Sequence, residues 1–253
     1  MRITVREAIP RHVGLGSTTQ LMLAVGKAVS VVKGLGLSVR EIAARLGRGS
    51  VSGIGTAVFE KGGFVVDTRR RLAGNTLGEV KSLSDIPGIL FHSKLPPRWC
   101  FTVIVPHARR GLRDEEEEPI LEKPLPHDER LGYELYKTLL LMMIPAVIEK
   151  DPYLFGRALS RIQRLTGEYF SPAQGGTYCC EESRILAQEL EEHGALAVGQ
   201  SSWGPTIYGF HEDITKARRI LKQLLQQAKN LGIKVEMAYV ALPRNRGATI
   251  RRI

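Results

Sequence analysis

Three glycine-rich stretches hold the residues whose types and spacing suit chemistry on a phosphorylated molecule. The first, Pro10–Thr19, places Gly14 and Gly16 on either side of Leu15 and follows them with the hydroxyls of Ser17, Thr18 and Thr19. Glycines let a backbone approach an anion closely, and a helix starting beyond them offers unpaired N–H groups at the positive end of its dipole. The hydroxyls add oxygens for phosphate or a metal ion, which makes Ser17 and Thr18 candidate metal contacts. An N-capped helix with no ligand has the same local wording. The second stretch, Gly47–Gly55, sets Arg48 and Ser52 among small residues. It suits a phosphate-facing loop, with Arg48 and Ser52 as candidate catalytic residues, or equally the close packing of a helix start against a sheet. The third, Gly199–Pro205, holds Ser201, Ser202, Trp203 and Gly204. There Trp203 serves either as an aromatic platform or as domain-packing core. Asp67 either holds magnesium or simply ends its strand, and His12 meets an anion or is merely exposed.

These stretches need elements to position them. Ile3–Arg6 alternates as a half-buried strand, and Leu21, Ala24, Val25, Ala28 and Val32 then recur at helical spacing. Ser38-x-x-Glu41 is a capping box for a short helix that Gly47 closes. Ala57–Glu60 and Phe64–Asp67, joined by Lys61-Gly62-Gly63, read as a β-hairpin. Thr68–Pro97 has no sustained period and reads as a long loop. Phe101–Val105 is an apolar strand, and the acidic run Asp114–Glu118 a solvated loop. Leu131–Ile148 reads as an apolar helix kinked at Pro145. Asp151-Pro152 starts another helix, reaching about Leu165, with loop over Ser171–Thr177. A helix over Glu181–His193 stops at Gly194. Strands at Ala195–Val198, Thr206–Phe210 and Lys234–Leu242, with a helix at Ile214–Asn230, complete a β-α-β-β-α-β order that suggests a ferredoxin-like second domain.

Composition bounds the function. A chain of 253 residues, 43% hydrophobic, can bury a full core, and disorder is excluded. No uninterrupted apolar run reaches the roughly 18 residues of a membrane span, and the N-terminus is too polar for a secretory signal. Cys100, Cys179 and Cys180 are odd in number and lack zinc-site spacing, so a reducing cytoplasm is expected. The net charge of +10 suggests an anionic partner. Beyond His211 the basic residues outnumber the acidic ones, but Tyr239 alone is interleaved with them, which argues against nucleic acid.

In combination these stretches resemble the GHMP superfamily of small-molecule kinases. Pro10–Thr19 is similar to its phosphate loop, Gly47–Gly55 to its S-G-x-D region and Gly199–Pro205 to its C-terminal glycine loop. The narrower wording, L-G-R-G-x-x-S-G-I-G, F-x-x-G-G-F-x-V-D and S-S-W-G-P-T-x-Y-G, resembles the beta-ribofuranosylaminobenzene 5'-phosphate synthases. That resemblance implies an α+β fold of two domains: an S5-like N-terminal α/β part over 1–97 and a ferredoxin-like C-terminal part over 98–253. It implies an enzyme that condenses phosphoribosyl pyrophosphate with 4-hydroxy- or 4-aminobenzoate, releasing carbon dioxide and pyrophosphate, in the making of methanopterin-type carriers. It implies Mg2+ and no organic cofactor, no nucleic-acid or membrane partner, and leaves room for a homodimer. Gly14–Thr19 would then bind the pyrophosphate, Arg48 a phosphate of the substrate, and Ser201–Gly204 the opposite wall. Gly55 stands where the kinases carry the aspartate that acts as catalytic acid, which favours the synthase over an ATP-dependent kinase. The family also implies strands ahead of Pro10, whereas Met1 lies nine residues before it. An incomplete N-terminal domain, inactive alone or completed by another chain, is the third expectation.

Overall fold

The computed structural model describes residues 1–49, 52–68, 72–73, 76–77, 83–110, 120 and 129–251. The acidic run at 114–118 lies outside them. Residues 1–10 form no regular element. The strand expected at Ile3–Arg6 is therefore absent: Ile3 and Val5 are exposed, and an alternating segment becomes a strand only where a neighbour pairs with it.

Helix α1 (Ser17–Val32) follows the first glycine turn. Helix α2 (Val39–Arg45) opens on the expected capping box: Glu41 N–H donates to Ser38 Oγ at 3.2 Å, and Ser38 N–H donates to Glu41 Oε2 at 2.8 Å. Residues expected as the first arm of a hairpin instead form helix α3 (Ile54–Lys61). Its Phe59 packs into a small core with Leu23 of α1 and Val39, Ile42 and Ala43 of α2. Strand β1 (Phe64–Asp67) finds its partner elsewhere. After the paired two-residue strands β2 (Leu72–Ala73) and β3 (Thr76–Leu77) comes β4 (Ile89–Ser93), antiparallel to β1 with Phe64 opposite Ser93. The expected loop from Thr68 to Pro97 thus contains the strand that completes this ribbon.

The second half is built around β5 (Cys100–Pro106). Helix α4 (Glu129–Thr138) runs through a π turn at Leu139–Met143 into α5 (Ile144–Glu149). The irregularity expected at Pro145 is this turn, placed just ahead of the proline whose missing N–H interrupts the ladder. By length and composition Glu129–Glu149 could cross a membrane. Its first half is charged, with Glu134 ion-paired to Arg161, and its second half buries Met143, Ala146 and Val147 in the core.

Asp151 caps α6 (Pro152–Gln174), accepting from Tyr153 N–H at 2.8 Å and Leu154 N–H at 3.0 Å. This helix outruns its expected end by nine residues, Thr166–Gln174, and passes through Pro172. Ser171 Oγ donates to the Glu168 carbonyl at 2.9 Å, taking the acceptor that the proline cannot serve. Then follow α7 (Glu181–Glu192), β6 (Ala197–Gln200), β7 (Ile207–His211), α8 (Ile214–Asn230) and β8 (Val235–Ala241).

The sheet order is β6-β7-β5-β8, with every neighbouring pair antiparallel. That is the ferredoxin-like arrangement. Helices α7 and α8 cover one face, burying Leu186, Leu190, Ile220 and Leu224 against Ile104 and Ile207. The α4–α6 layer covers the other, where Trp99, Phe155 and Phe210 stack edge to face or tilted at 4.8–5.1 Å.

The chain beyond β8 turns back onto the first half. Asn245 brackets Leu95, accepting from its N–H at 2.9 Å and donating to its carbonyl at 2.8 Å. Gly63 N–H donates to the Arg244 carbonyl and Ala248 N–H to the Phe59 carbonyl, each at 2.8 Å. Gly62, at φ 67°, must be glycine here, since a Cβ would sit 2.3 Å from the Arg244 carbonyl. The G-G of the second motif is therefore the seat of this strap.

Candidate functional site

The first and third glycine stretches touch. Ser201 Oγ donates to the Gly14 carbonyl at 2.7 Å, and Thr206 Oγ1 donates to the Val13 carbonyl at 2.6 Å. Gly14 has φ +86°, and a Cβ on it would lie 1.9 Å from the Ser201 carbonyl oxygen. Two loops 187 residues apart in sequence are thus clamped backbone to backbone. Ser201 and the buried Thr206, which sequence reasoning did not single out, are the fasteners. Thr206 had a signal, since it stands inside the S-S-W-G-P-T wording.

The clamp leaves the start of α1 open. Gly16 is its N-cap, left-handed at φ 66°, exposed, and among the described residues has no atom within 4 Å of where a Cβ would be. No side chain of the described residues caps the helix, and the backbone ladder begins with Gln20 N–H donating to the Gly16 carbonyl at 3.1 Å. The N–H groups of Ser17, Thr18 and Thr19 precede that ladder, so they take no carbonyl of their own helix and lie at the positive end of its dipole. Leu15 and Thr18 are half-buried and Ser17 is buried.

The start of α3 lies alongside. A Cβ on Gly55 would meet Thr19 Cγ2 at 3.0 Å, and Gln20 Nε2 donates to the Gly55 carbonyl at 2.9 Å. Two helix N-termini therefore adjoin, and the space a longer side chain at position 55 would need is taken by Thr19. Asp67 anchors the second of them. Its Oδ2 accepts from Ser52 Oγ at 2.7 Å and from Gly53 N–H at 2.6 Å, while Ile54 N–H donates to Ser52 Oγ at 3.2 Å. Ser52 and Asp67 thus act together as the cap of α3. Arg48 follows α2, half-buried, its backbone N–H closing on the Ala43 carbonyl at 2.8 Å. Positions 50 and 51 of this stretch lie outside the described residues.

The far side of the third loop is packing. Trp203 is buried and meets Phe170 of α6 edge to face at 4.7 Å, which is its domain-packing role rather than an exposed platform. Gly204 is buried, and Ser202 is exposed at φ 53°. Among the described residues no cluster of three or more His, Cys, Asp or Glu could hold a metal ion. Magnesium, however, usually needs only one or two carboxylates together with substrate phosphates rather than such a cluster.

This geometry has relatives. The GHMP kinases N terminal domain family matches residues 1–63, the glycine turn with α1 to α3, and the GHMP kinases C terminal family matches residues 143–230, from α5 to α8. The chain is 34% identical to a beta-ribofuranosylphenol 5'-phosphate synthase of Archaeoglobus fulgidus, over 89% of this chain and 73% of the relative. The chain belongs to this synthase family. A second synthase of the same name, from Methanothermobacter thermautotrophicus, is 32% identical over 83% of this chain and 63% of its own length. The chain thus spans about two thirds to three quarters of the curated relatives it matches. Among solved structures, homoserine kinase from Cytophaga hutchinsonii superposes with a TM-score of 0.69 at 20% identity, over 95% of this chain and 69% of that one. That likeness speaks to the fold. The chain is therefore a synthase-family member on a kinase-type scaffold.

Proposed function

We propose that this protein condenses phosphoribosyl pyrophosphate with a 4-substituted benzoate, releasing carbon dioxide and pyrophosphate, as a step toward a methanopterin-type carrier. The observation that carries the reading is the uncapped, open start of α1 at Gly16–Thr19 beside a start of α3 that bears glycine at position 55. The first suits a polyphosphate leaving group; the second lacks the carboxylate that a phosphotransfer would draw on there. The relatives are named for a ribosylated phenol, which favours 4-hydroxybenzoate over 4-aminobenzoate.

In this mechanism the N–H groups of Ser17 to Thr19 hold the pyrophosphate and stabilise the charge that grows as its bond to the anomeric carbon breaks. Arg48 is the cation for a phosphate of the substrate. A magnesium ion, held through Ser17 and Thr18 hydroxyls and the substrate's own phosphates, would neutralise the leaving group. The ring carbon bearing the carboxylate then bonds to the anomeric carbon. Its bond to the carboxylate breaks, and the electron pair returns to the ring as carbon dioxide leaves. No organic cofactor is required, because the ring stores the electrons between these two events.

The kinase alternative requires another carboxylate, and Asp67 in the cap of α3 is the nearest candidate to that helix start. The two readings separate in one experiment. The protein with magnesium, phosphoribosyl pyrophosphate and carboxyl-labelled 4-hydroxybenzoate should release labelled carbon dioxide. A parallel mixture with ATP and homoserine should yield no ADP above the blank. ADP without labelled gas overturns the proposal. No product in either mixture points instead to a chain that needs a partner or further segment for activity.

A further inference from the structure

Behind the third glycine loop lies a pair of thiols that the reaction does not use. Cys179 and Cys180 are adjacent in sequence, partly exposed, and their Sγ atoms are 3.3 Å apart. Ser183 Oγ, fully buried, sits 3.0 Å from the Cys180 sulfur and 3.7 Å from that of Cys179. The same hydroxyl donates to the Pro205 carbonyl at 2.9 Å. Cys179 N–H donates to Gln200 Oε1 at 2.7 Å, and Gln200 Nε2 donates to the Ser202 carbonyl at 2.9 Å. Two separate routes therefore run from the thiols into the loop Ser201–Pro205, and that loop holds Val13 and Gly14 through Ser201 and Thr206.

We propose that Cys179 and Cys180 form a thiol–disulfide exchange site, closing on each other in the presence of a small oxidised disulfide and thereby releasing the loop that clamps Val13 and Gly14. This goes beyond the reaction above and stands whichever phosphorylated molecule the open helix end takes.

The two thiols are unequal, as exchange requires. Cys179 donates its S–H to Cys180, and Cys180 stands at the N-cap of α7 beside the Ser183 hydroxyl. The Cys179 S–H and the Ser183 backbone N–H lower the Cys180 thiol below its ordinary range, whereas the bond to Cys180 and burial raise that of Cys179. Cys180, as thiolate, attacks one sulfur of the small disulfide; that S–S bond breaks, and one small thiolate leaves. Cys179 gives its proton to solvent and attacks the Cys180 sulfur, and the second small thiolate leaves. Two protein thiols are oxidised and one external disulfide is reduced, so the electrons balance.

Closure cannot leave the backbone where it is. The sulfurs must approach from 3.3 Å to about 2.05 Å. Adjacent Cα atoms are only about 3.8 Å apart, below the roughly 4.4–6.8 Å that an unstrained disulfide spans. The peptide between the cysteines has to rotate, and its flanking N–H is the one that holds Gln200. A ring strained in this way is also readily reopened by a thiol, which makes the site reversible.

The test treats the intact protein with cystamine and reads two signals. Intact mass should fall by about two units, return with dithiothreitol, and stay unchanged by ring closure in Cys179→Ser and Cys180→Ser. Amide hydrogen exchange across residues 199–207 and 12–19 should rise about tenfold or more in the oxidised protein and not in the treated variants. A chain that stops at a mixed disulfide, or loses no mass, overturns the exchange site. Ring closure with unchanged exchange in both segments overturns its coupling to the clamp.

Discussion

Alanine at positions 14 and 16 separates the clamp from the open helix end. Both glycines have positive φ, 86° and 66°, so either substitution costs roughly 1–2 kcal/mol for a left-handed alanine. At Gly16 nothing else is lost, because an added Cβ meets no atom of the described residues within 4 Å. At Gly14 the Cβ would lie 1.9 Å from the Ser201 carbonyl oxygen and 3.2 Å from the Gly204 Cα. The third loop has to withdraw by more than an ångström, and Ser201 Oγ–Gly14 O and Thr206 Oγ1–Val13 O part with it. Each is a net contribution of about 1 kcal/mol, which brings Gly14→Ala to about 3–4 kcal/mol, about 2 kcal/mol beyond Gly16→Ala. In a chain of this size Tm moves roughly 2–4 °C per kcal/mol, so Gly14→Ala should lower it by about 6–16 °C and Gly16→Ala by about 2–8 °C. Thermal unfolding followed by circular dichroism measures both. Equal losses for the two variants would mean that the loops do not hold each other, and the clamp would have to be abandoned.

Three further outcomes follow from the same contacts. Gly16→Val should weaken pyrophosphate binding about tenfold or more in calorimetry, with a thermal transition close to that of Gly16→Ala, because its side chain fills the open space rather than the core; unchanged affinity removes Gly16 from the site. His211 is fully buried, its Nδ1 has no hydrogen-bond partner among the described residues, and burial pushes its pKa down from 6.5 to about 4. The unfolded chain takes a proton below about pH 6.5 that the fold refuses until about pH 4, so stability is lost as pH falls through that window, by about 3 kcal/mol. His211→Gln should flatten the Tm decline between pH 7 and 4.5, and an equally steep decline refutes the assignment. Asn245→Ala breaks both bonds to Leu95 and should cost about 2 kcal/mol in urea unfolding; a loss under about 0.5 kcal/mol means the strap is dispensable.

What could be read from sequence was what is decided locally. Ser38 with Glu41, Asp151 with Pro152, and Gly194 after α7 each mark a helix end through contacts a few residues apart, and the helix Ile214–Asn230 has its expected bounds. The failures come from distant partners. Ala57–Glu60 is four residues with no decisive period, and its helical state depends on Asp67, which reaches back to Ser52 and Gly53 across 15 and 14 residues. The strand β1 pairs with β4 across some twenty residues, rich in turn signals, with no sustained period to mark the second strand. Pro172 marks a helix end by every local rule, and Ser171 overrides it with one hydroxyl. In the candidate site the three glycine stretches were visible as a set, but not how they divide the work.

That division changes where the chemistry should be sought. Ser201 spends its hydroxyl on Gly14, Thr206 spends its own on Val13, and Trp203 is packed under Phe170. The S-S-W-G-P-T wording is thus largely a fastening for the first glycine turn. The groups it does not occupy are the backbone at Gly16 and the first turn of α1. In the proposed reaction the clamp holds these donors in place, and preorganised donors stabilise a developing charge without having to reorganise at the moment of reaction. A variant that spares Gly16 but releases the clamp should therefore lose turnover more than it loses affinity for inorganic pyrophosphate, since a bound ion can draw mobile donors into place while a transition state cannot wait for them.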